Sequence, residues 1–207
     1  MVNIIGDSHT RSFGWLHNLN SYWLGPGRDM NLQHDKIDNI KNRLKNINPH
    51  KNDINFLFFG EPNVRYQLDW DHHIFKRLKI FEVEPKVNRD YIDIVINNYV
   101  KLVEELHFKT KILTPTTTYS PSIPAMKYFN NKLKEVFGDM VLDIFQHTID
   151  ESGNPKLRFR RDNFEHDPIH CNNELVKVFE KEINLTFLPS KKENLNNLTE
   201  FGTISMR

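Results

Sequence analysis

A short polar cluster follows the first apolar segment of the chain. Residues 3–14 read "NIIGDSHTRSFG", so Asp7, Ser8 and His9 come directly after an apolar run that stops at Gly6. A serine at the turn between a strand and a helix is either a helix cap or a nucleophile presented for attack. This segment alone leaves both interpretations open.

A second polar cluster lies far along the chain. The segment "FEHDPIHCN", residues 164–172, contains Asp167 and His170 three positions apart. Residues at this spacing in a turn lie on the same side, so Asp167 can orient the ring of His170. A serine hydroxyl needs such a base in order to act as a nucleophile. Taken together, Ser8, His170 and Asp167 favour acyl transfer over simple capping.

Two further turns contain candidate groups for stabilising an oxyanion. The segment "GPGRDM" contains Gly25 and Gly27, and the segment "GEPNVR" contains Asn63 and Arg65. Glycine lets the backbone approach a substrate closely, and backbone N–H groups or a side-chain amide can donate to developing negative charge. These four residues are therefore the predicted oxyanion and substrate-binding positions.

The apolar pattern indicates the elements that position these residues. Short apolar runs alternate with helical patterns, which is typical of a mostly parallel sheet with crossover helices. The pattern predicts a doubly wound sheet of five strands, with the segment "INFLFFG" as a central strand buried on both faces. The predicted strands are Val2–Ile5, Tyr22–Leu24, Ile54–Phe59, Lys111–Leu113 and Met140–Phe145. The predicted helices are Arg11–Leu19, Ile37–Asn46, Arg89–Leu106, Ile123–Phe137 and Asn173–Glu182.

The polar turns all follow predicted strands. Ser8 follows the first strand, Gly25 the second, Asn63 the third, and His170 comes after the fifth. Ligands of open parallel sheets bind outside the carboxyl ends of the strands. We therefore expect these residues to line one pocket at that edge.

Composition narrows the class of protein. Of the 207 residues, 38% are hydrophobic and 27% are charged, which suits a soluble globular protein. Because 28 Lys and Arg nearly balance 27 Asp and Glu, no global field favours a nucleic acid partner. The single cysteine, Cys171, excludes an intrachain disulfide. No apolar run approaches the roughly 18 residues of a membrane span, and no secretory signal is visible. The expected location is the cytoplasm.

The two polar clusters also carry a family resemblance. The blocks "GDSH" and "DPIH" resemble the first and last signature blocks of the SGNH (GDSL-like) hydrolases, and the two glycine-containing turns resemble the middle blocks in the same order. The likeness extends over about residues 2–184. It implies a flavodoxin-like three-layer α/β/α fold and hydrolysis of esters, thioesters or sugar O-acyl groups without metal or cofactor. By this resemblance Ser8 is the nucleophile, His170 the base and Asp167 its partner.

The third block departs from the usual pattern of the family. That pattern is Gly-x-Asn-Asp, whereas this chain has Gly60, Glu61, Pro62 and Asn63. A variant, Gly-Glu-x-Asp-x-Arg, occurs in relatives associated with surface polysaccharides and is closer to "GEPNVR". Either Asn63 or Arg65 is therefore expected to complete the oxyanion hole.

The expected function is removal of a small acyl group, such as O-acetyl, from a polar and carbohydrate-like substrate. The partner is then a small-molecule or glycan ester. Two alternatives remain open, namely a non-catalytic glycan- or protein-binding module of the same fold and an acyltransferase with the same triad. Cys171 is disfavoured as the nucleophile, because a lone cysteine is usually a small apolar filler.

Two segments fit neither a strand nor a helix. Residues Glu61–Asn88 form a long connection that contains "DWDHH", whose residue types suit a metal but whose spacing matches no strong zinc motif. Trp70 in this connection is the best candidate for stacking on a sugar. The second segment is the polar stretch at the C-terminal end, residues 189–207. The predicted division is therefore an SGNH-like domain, residues 1–188, and a polar arm, residues 189–207.

Overall fold

The computed structural model describes residues 1–25, 32, 37–66, 87–162, 167 and 169–198. Gly27 and the "DWDHH" segment with Trp70, to which candidate roles were assigned above, lie outside these residues. The remaining candidate site residues are all described.

The described strands form one parallel sheet. In chain order they are β1 (Val2–Gly6), β2 (Leu19–Trp23), β3 (Ile54–Phe58), β4 (Lys111–Leu113), β5 (Val141–Leu142) and β6 (Leu195–Asn197). Their spatial order is β5-β4-β3-β1-β2-β6, and every neighbouring pair is parallel. The first five strands thus have the 2-1-3-4-5 order of flavodoxin-like folds, which confirms the predicted class.

Helices cover both faces of this sheet. They are α1 (Ile37–Leu44), α2 (Glu61–Tyr66), α3 (Arg89–Glu104), α4 (Ile123–Phe137), α5 (Phe145–Thr148) and α6 (Glu174–Ile183). Ile5, Leu57 and Ile112 share one core cluster with residues of α1 to α4. Ile4 and Phe56 share the other with residues of α6. Successive strand residues point to opposite faces, so the two clusters are the two sides of a three-layer α/β/α fold.

The sheet has six strands instead of the five that were predicted. The additional strand, β6, comes from the polar C-terminal segment and pairs with β2. The side-chain amide of Asn194, just before β6, also donates to the backbone oxygen of Leu19 at 2.6 Å. An edge strand has one neighbour and needs no continuous apolar run, so the apolar pattern did not reveal it.

The predicted helix Arg11–Leu19 is wrong. Residues Ser8–Phe13 instead form a short 3₁₀ helix, and β2 begins at Leu19 rather than at Tyr22. Asn18 has a left-handed backbone (φ 59°) directly before β2, which stops helical continuation and redirects the chain. Leu19 is fully buried and belongs to the core as a strand residue.

Two other boundaries also differ from the prediction. The segment beginning at Glu61 forms helix α2 rather than an irregular loop, since a proline such as Pro62 is tolerated in the first helical turn. The predicted strand Met140–Phe145 shrinks to β5, and Phe145 begins helix α5. Apolar runs this short do not distinguish a strand from a helix.

The longest of the described helices is α3, with 16 residues. Its first turn is capped by Asn88, whose side-chain oxygen accepts from the backbone N–H of Tyr91 at 3.1 Å. Among the described residues, no helix combines the length and the apolar character that crossing a membrane requires.

Candidate active site

The turn after β1 presents Ser8. Gly6 is required at the end of β1, because a Cβ atom there would lie 1.8 Å from the carbonyl oxygen of Phe58 on β3. Asp7 then caps the 3₁₀ helix by accepting from the backbone N–H of His9 at 2.9 Å. The capping role therefore belongs to Asp7 and not to Ser8, whose hydroxyl is 2.7 Å from Nε2 of His170.

The loop before α6 presents His170. Its Nδ1 lies 2.7 Å from Oδ1 of Asp167, and its backbone N–H donates to the same oxygen at 3.2 Å. Because a carboxylate only accepts, Nδ1 carries the proton that is donated to Asp167. Nε2 is then the acceptor for the Ser8 hydroxyl. Ser8, His170 and Asp167 thus form one continuous chain of hydrogen bonds, as their residue types and spacing predicted.

Charges around this chain favour an ionised Asp167 and a neutral His170. Burial alone would raise the pKa of Asp167, but the hydrogen bond and charge of His170, together with Arg161, lower it below its ordinary value. Burial lowers the pKa of His170, and the charge of His9 lowers it further, against the opposing effect of Asp167. A neutral imidazole is the form that a general base requires.

Arg161 holds the outer oxygen of Asp167. Its Nη1 donates to Oδ2 of Asp167 at 3.0 Å, and its Nε donates to the carbonyl oxygen of Cys171 at 3.3 Å. The guanidinium thereby bridges the two sides of the His170 loop. This contact was not predicted, because nothing in the spacing of Arg161 and Asp167 distinguishes it from an ordinary surface pair.

The side chain of Cys171 is not part of this chain of hydrogen bonds. It is 1% exposed, and its Sγ lies 3.5 Å from Oγ1 of Thr116. Burial raises the pKa of the thiol to about 11, so it carries no thiolate at neutral pH. These properties agree with the interpretation of Cys171 as an apolar filler.

A second histidine lies beside the first. Nδ1 of His9 is 2.8 Å from Oδ1 of Asp7, and both side chains are buried. The ring of His9 lies 4.5 Å from the ring of His170, centroid to centroid. Burial alone would lower the pKa of His9, but the charge and hydrogen bond of Asp7 raise it above its ordinary value. The Asp-x-His spacing was visible in the sequence but was not recognised as a pair.

Helix α2 places the third block at the same edge of the sheet. Glu61 is fully buried, and its two carboxylate oxygens accept from Nε and Nη2 of Arg65 at 3.0 and 3.3 Å. Asn63 is 1% exposed, and its Oδ1 accepts from the backbone N–H of Leu32 at 2.7 Å. Asn63 therefore links the third block to the segment after β2, a role that its residue type did not reveal.

The segment after β2 begins at Gly25. This glycine is buried and has a φ of 135°, a conformation that side-chain-bearing residues rarely adopt. The preceding residue, Leu24, donates its backbone N–H to the carbonyl oxygen of Gly6 at 2.8 Å. Gly25 is thus held next to the end of β1, from which the Ser8 turn starts.

A threonine-rich segment after β4 supports the His170 loop. The backbone N–H of Thr118 donates to the carbonyl oxygen of Ile169 at 3.1 Å, and the neighbouring Thr116 and Thr117 are buried. This support was not predicted, although the polar run "TPTTTY" directly after a strand is a visible signal. In the described part of the chain, no three His, Cys, Asp or Glu side chains group together to hold a metal ion.

No family model matches the chain, and no curated protein matches it in sequence. Its structure is similar to that of a catalytic mutant of Axe2, an acetylxylan esterase from Geobacillus stearothermophilus (14% identity, TM-score 0.51, 92% of this chain and 96% of that one covered). A protein from Desulfitobacterium hafniense DCB-2, assigned to the lipolytic G-D-S-L family, matches with 13% identity, a TM-score of 0.51 and coverages of 88% and 96%. A protein from Streptococcus pneumonia, assigned as a platelet activating factor, matches with 14% identity, a TM-score of 0.53 and coverages of 88% and 81%. The chain therefore has the SGNH-like (GDSL) hydrolase fold.

Proposed function

We propose that this protein is a serine esterase that works through an acyl-enzyme. The observation that carries the proposal is the continuous chain of hydrogen bonds from the Ser8 hydroxyl through His170 to Asp167, with 2.7 Å at each of its two links. A purely binding domain of this fold has no need of all three side chains in this geometry. The chain spans most of the length of the solved structures with the same fold.

The geometry suggests how the proton moves. As Oγ of Ser8 attacks the acyl carbonyl, its proton passes to Nε2 of His170, and Asp167 stabilises the imidazolium that forms. When the bond to the alcohol breaks, the alcohol oxygen takes that proton and leaves, with the acyl group bound to Ser8. Water then attacks the acyl-enzyme, giving its proton to His170, and Ser8 is released when that proton returns to Oγ.

The oxyanion is proposed to be bound by the backbone N–H groups of Ser8 and Gly25 and by the side-chain amide of Asn63. Asn63 is held by Leu32 and lies on the first turns of α2 at the carboxyl edge of the sheet. Arg65 is the alternative, and its pairing with Glu61 argues for a positioning contribution to α2 rather than a direct one.

Alanine substitution separates the two assignments. Asn63→Ala is expected to lower kcat by about 10²–10³-fold with little change in KM, as for loss of one oxyanion donor. Arg65→Ala should raise KM instead if the guanidinium binds substrate. An Asn63→Ala enzyme with unchanged kcat would remove Asn63 from the proposal.

The proposed substrate carries a small acyl group on a polar, carbohydrate-like alcohol. One solved structure with this fold is an acetylxylan esterase, so acetylated sugars are the first substrates to test. Nitrophenyl acetate, butyrate and octanoate should be compared with acetylated sugars. Preference for acetyl over octanoyl esters would support the proposed acyl group, and the reverse order would contradict it.

A fluorophosphonate probe tests the proposed nucleophile directly. Wild-type protein is expected to be labelled and Ser8→Ala to remain unlabelled. Ser12→Ala is the matched control, since Ser12 lies on the same 3₁₀ helix with its hydroxyl donating to the carbonyl oxygen of Cys171. Absence of labelling in the wild type would favour a binding module instead. Transfer of the acyl group to an added alcohol, faster than to water, would identify an acyltransferase.

A further inference from the structure

The Asp7–His9 pair has no part in the proton transfers described above, yet it lies against the ring that performs them. The centroids of the His9 and His170 rings are 4.5 Å apart and the ring planes are inclined by 41°. We propose that His9, held in its charged form by Asp7, is a positioning residue that keeps His170 neutral and able to accept the Ser8 proton under mildly acidic conditions. This inference rests on the esterase function proposed above.

The ring of His9 is fixed in place. Oδ1 of Asp7 accepts from both the backbone N–H of His9, at 2.9 Å, and its Nδ1, at 2.8 Å. The other side of the ring meets Phe58 edge to face, with centroids 6.1 Å apart. His9 is 3% exposed. A charge on this ring therefore stays at a constant distance from His170 and is poorly screened by water.

The surroundings of His9 favour its protonated form. Asp7 is fully buried and His9 is its hydrogen-bonded partner, a contact that lowers the pKa of Asp7 and raises the pKa of His9 and so favours the charged form of each. Glu61 adds a further attraction for the imidazolium, and Arg65 opposes it. Nε2 of His9 is buried and has no hydrogen-bond partner among the described residues, which opposes the charged form, so the charge of His9 depends on the contact of its Nδ1 with Asp7.

Several charged groups act on His170, and they do not all act in the same direction. Asp167 and Glu61 favour its protonated form, while His9 opposes it. Arg161 is paired with Asp167 and weakens the attraction of that carboxylate for a proton on His170. The titratable and charged groups that face the two rings are Asp7, His9, Glu61, Arg65, Arg161, Asp167 and His170.

The consequence is a wider working range on the acid side. An ordinary histidine, with a pKa of 6.5, becomes mostly protonated as the pH falls below that value and can then no longer accept the serine proton. A fixed positive charge beside His170 opposes that protonation. The same charge also opposes the His170 imidazolium that forms during the reaction. At higher pH, where the rate no longer depends on pH, His170 is therefore a weaker base than it would be without the charge of His9.

Substitution of the pair tests this role. His9→Asn keeps an amide that can donate to Asp7 but loses the charge, and Asp7→Asn/His9→Asn removes both charges of the pair. In each, the ratio of kcat/KM at pH 5.5 to that at pH 8 is expected to fall by about threefold or more, because His170 protonates more readily. The fall should be larger for His9→Asn than for the double variant. In His9→Asn the Asp7 carboxylate remains near His170 and favours its protonated form.

A readout independent of turnover separates this proposal from the esterase proposal. The ¹³C-labelled imidazole of His170 can be titrated by NMR in the wild type and the variants, and its midpoint should move to higher pH in both. His17→Asn is the control, since His17 is exposed on the same connection and should leave the midpoint unchanged. His9→Gln replaces any variant that fails to fold. An unmoved His170 midpoint in the double variant would overturn the proposal, whether or not the protein hydrolyses esters.

Discussion

Two imidazole–carboxylate pairs lie side by side at the carboxyl edge of the sheet, and their bond lengths are nearly the same. Nδ1 of His9 is 2.8 Å from Asp7, and Nδ1 of His170 is 2.7 Å from Asp167. Their surroundings differ. The side chains of the first pair are 3% and 1% exposed, and those of the second are 22% and 19% exposed. The two pairs therefore share the same bond between Nδ1 and a carboxylate. They differ in their exposure to solvent and in the partner of Nε2, which is Ser8 for His170 and no described residue for His9.

That difference gives the two histidines opposite preferences for a proton. The pKa of His9 lies above the ordinary value, because the attraction of a fully buried carboxylate outweighs the effect of burial. The pKa of His170 lies below it, because burial and the neighbouring charge of His9 outweigh the attraction of Asp167. An Asp–His pair is therefore suited to base catalysis only where its surroundings leave the ring neutral and its Nε2 faces a hydroxyl.

The largest expected effect comes from removing the contact between Ser8 and His170. Ser8→Ala and His170→Ala should each lower kcat/KM for an activated ester by about 10⁴-fold or more, and the double variant should be little worse, because the residues act as a unit. Steady-state kinetics on the three variants checks this. Losses that multiply in the double variant would mean that the two side chains act independently.

Removal of each carboxylate in turn sharpens the comparison. Asp167→Ala is expected to lower kcat/KM by about 10²–10⁴-fold, because His170 loses the group that orients it. Asp7→Ala should instead lower the free energy of unfolding by about 3–5 kcal/mol, since it leaves a buried histidine without its partner and removes a helix cap.

Urea denaturation and kinetics on the same two variants measure both quantities. Asp167→Ala should lose less stability than Asp7→Ala, because its carboxylate is partly solvated. Equal losses of stability in the two variants would contradict the distinction between a structural and a reactive pair.

The smallest expected effect comes from Arg161, which forms an ion pair with Asp167. Arg161→Gln should lower kcat/KM by about fivefold, since the ion pair with Asp167 is partly exposed and such pairs contribute little each. Arg158→Gln, which alters a nearby arginine positioned over the ring of Phe159, is the matched control. A loss as large as that of Asp167→Ala would show that Asp167 depends on Arg161 for its orientation.

The main architecture was predictable because it depends on short-range patterns. Alternating apolar runs and helical patterns indicate a parallel α/β fold, and that fold brings the ends of distant strands to one edge. The position of Ser8 after the first strand and of His170 before the last helix was sufficient to predict their contact. The hydrogen-bond chain of Ser8, His170 and Asp167 needed only residue types, spacing and topology.

The contacts that were missed depend on information absent from local patterns. The strand β6 is polar, and its partner β2 is far away in the sequence, so no apolar periodicity marks it. The contact of Arg161 with Asp167 and the packing of His9 against His170 each require the course of the backbone in three dimensions. The 3₁₀ helix after β1 was mistaken for a longer helix because the effect of a single left-handed residue, Asn18, was not anticipated.

The distance in sequence between Ser8 and His170 has a consequence for folding. Ser8 and His170 are separated by 162 positions in the sequence. Strand β2 likewise pairs with β6, which comes from the far end of the described chain. Contacts between residues so far apart form late and slow the folding of a domain, because a long loop must close before they are gained. We therefore expect the Ser8–His170 contact to form only after most of the sheet has been assembled. Recovery of hydrolytic activity during refolding would report the completion of the whole topology, later than signals from the individual helices.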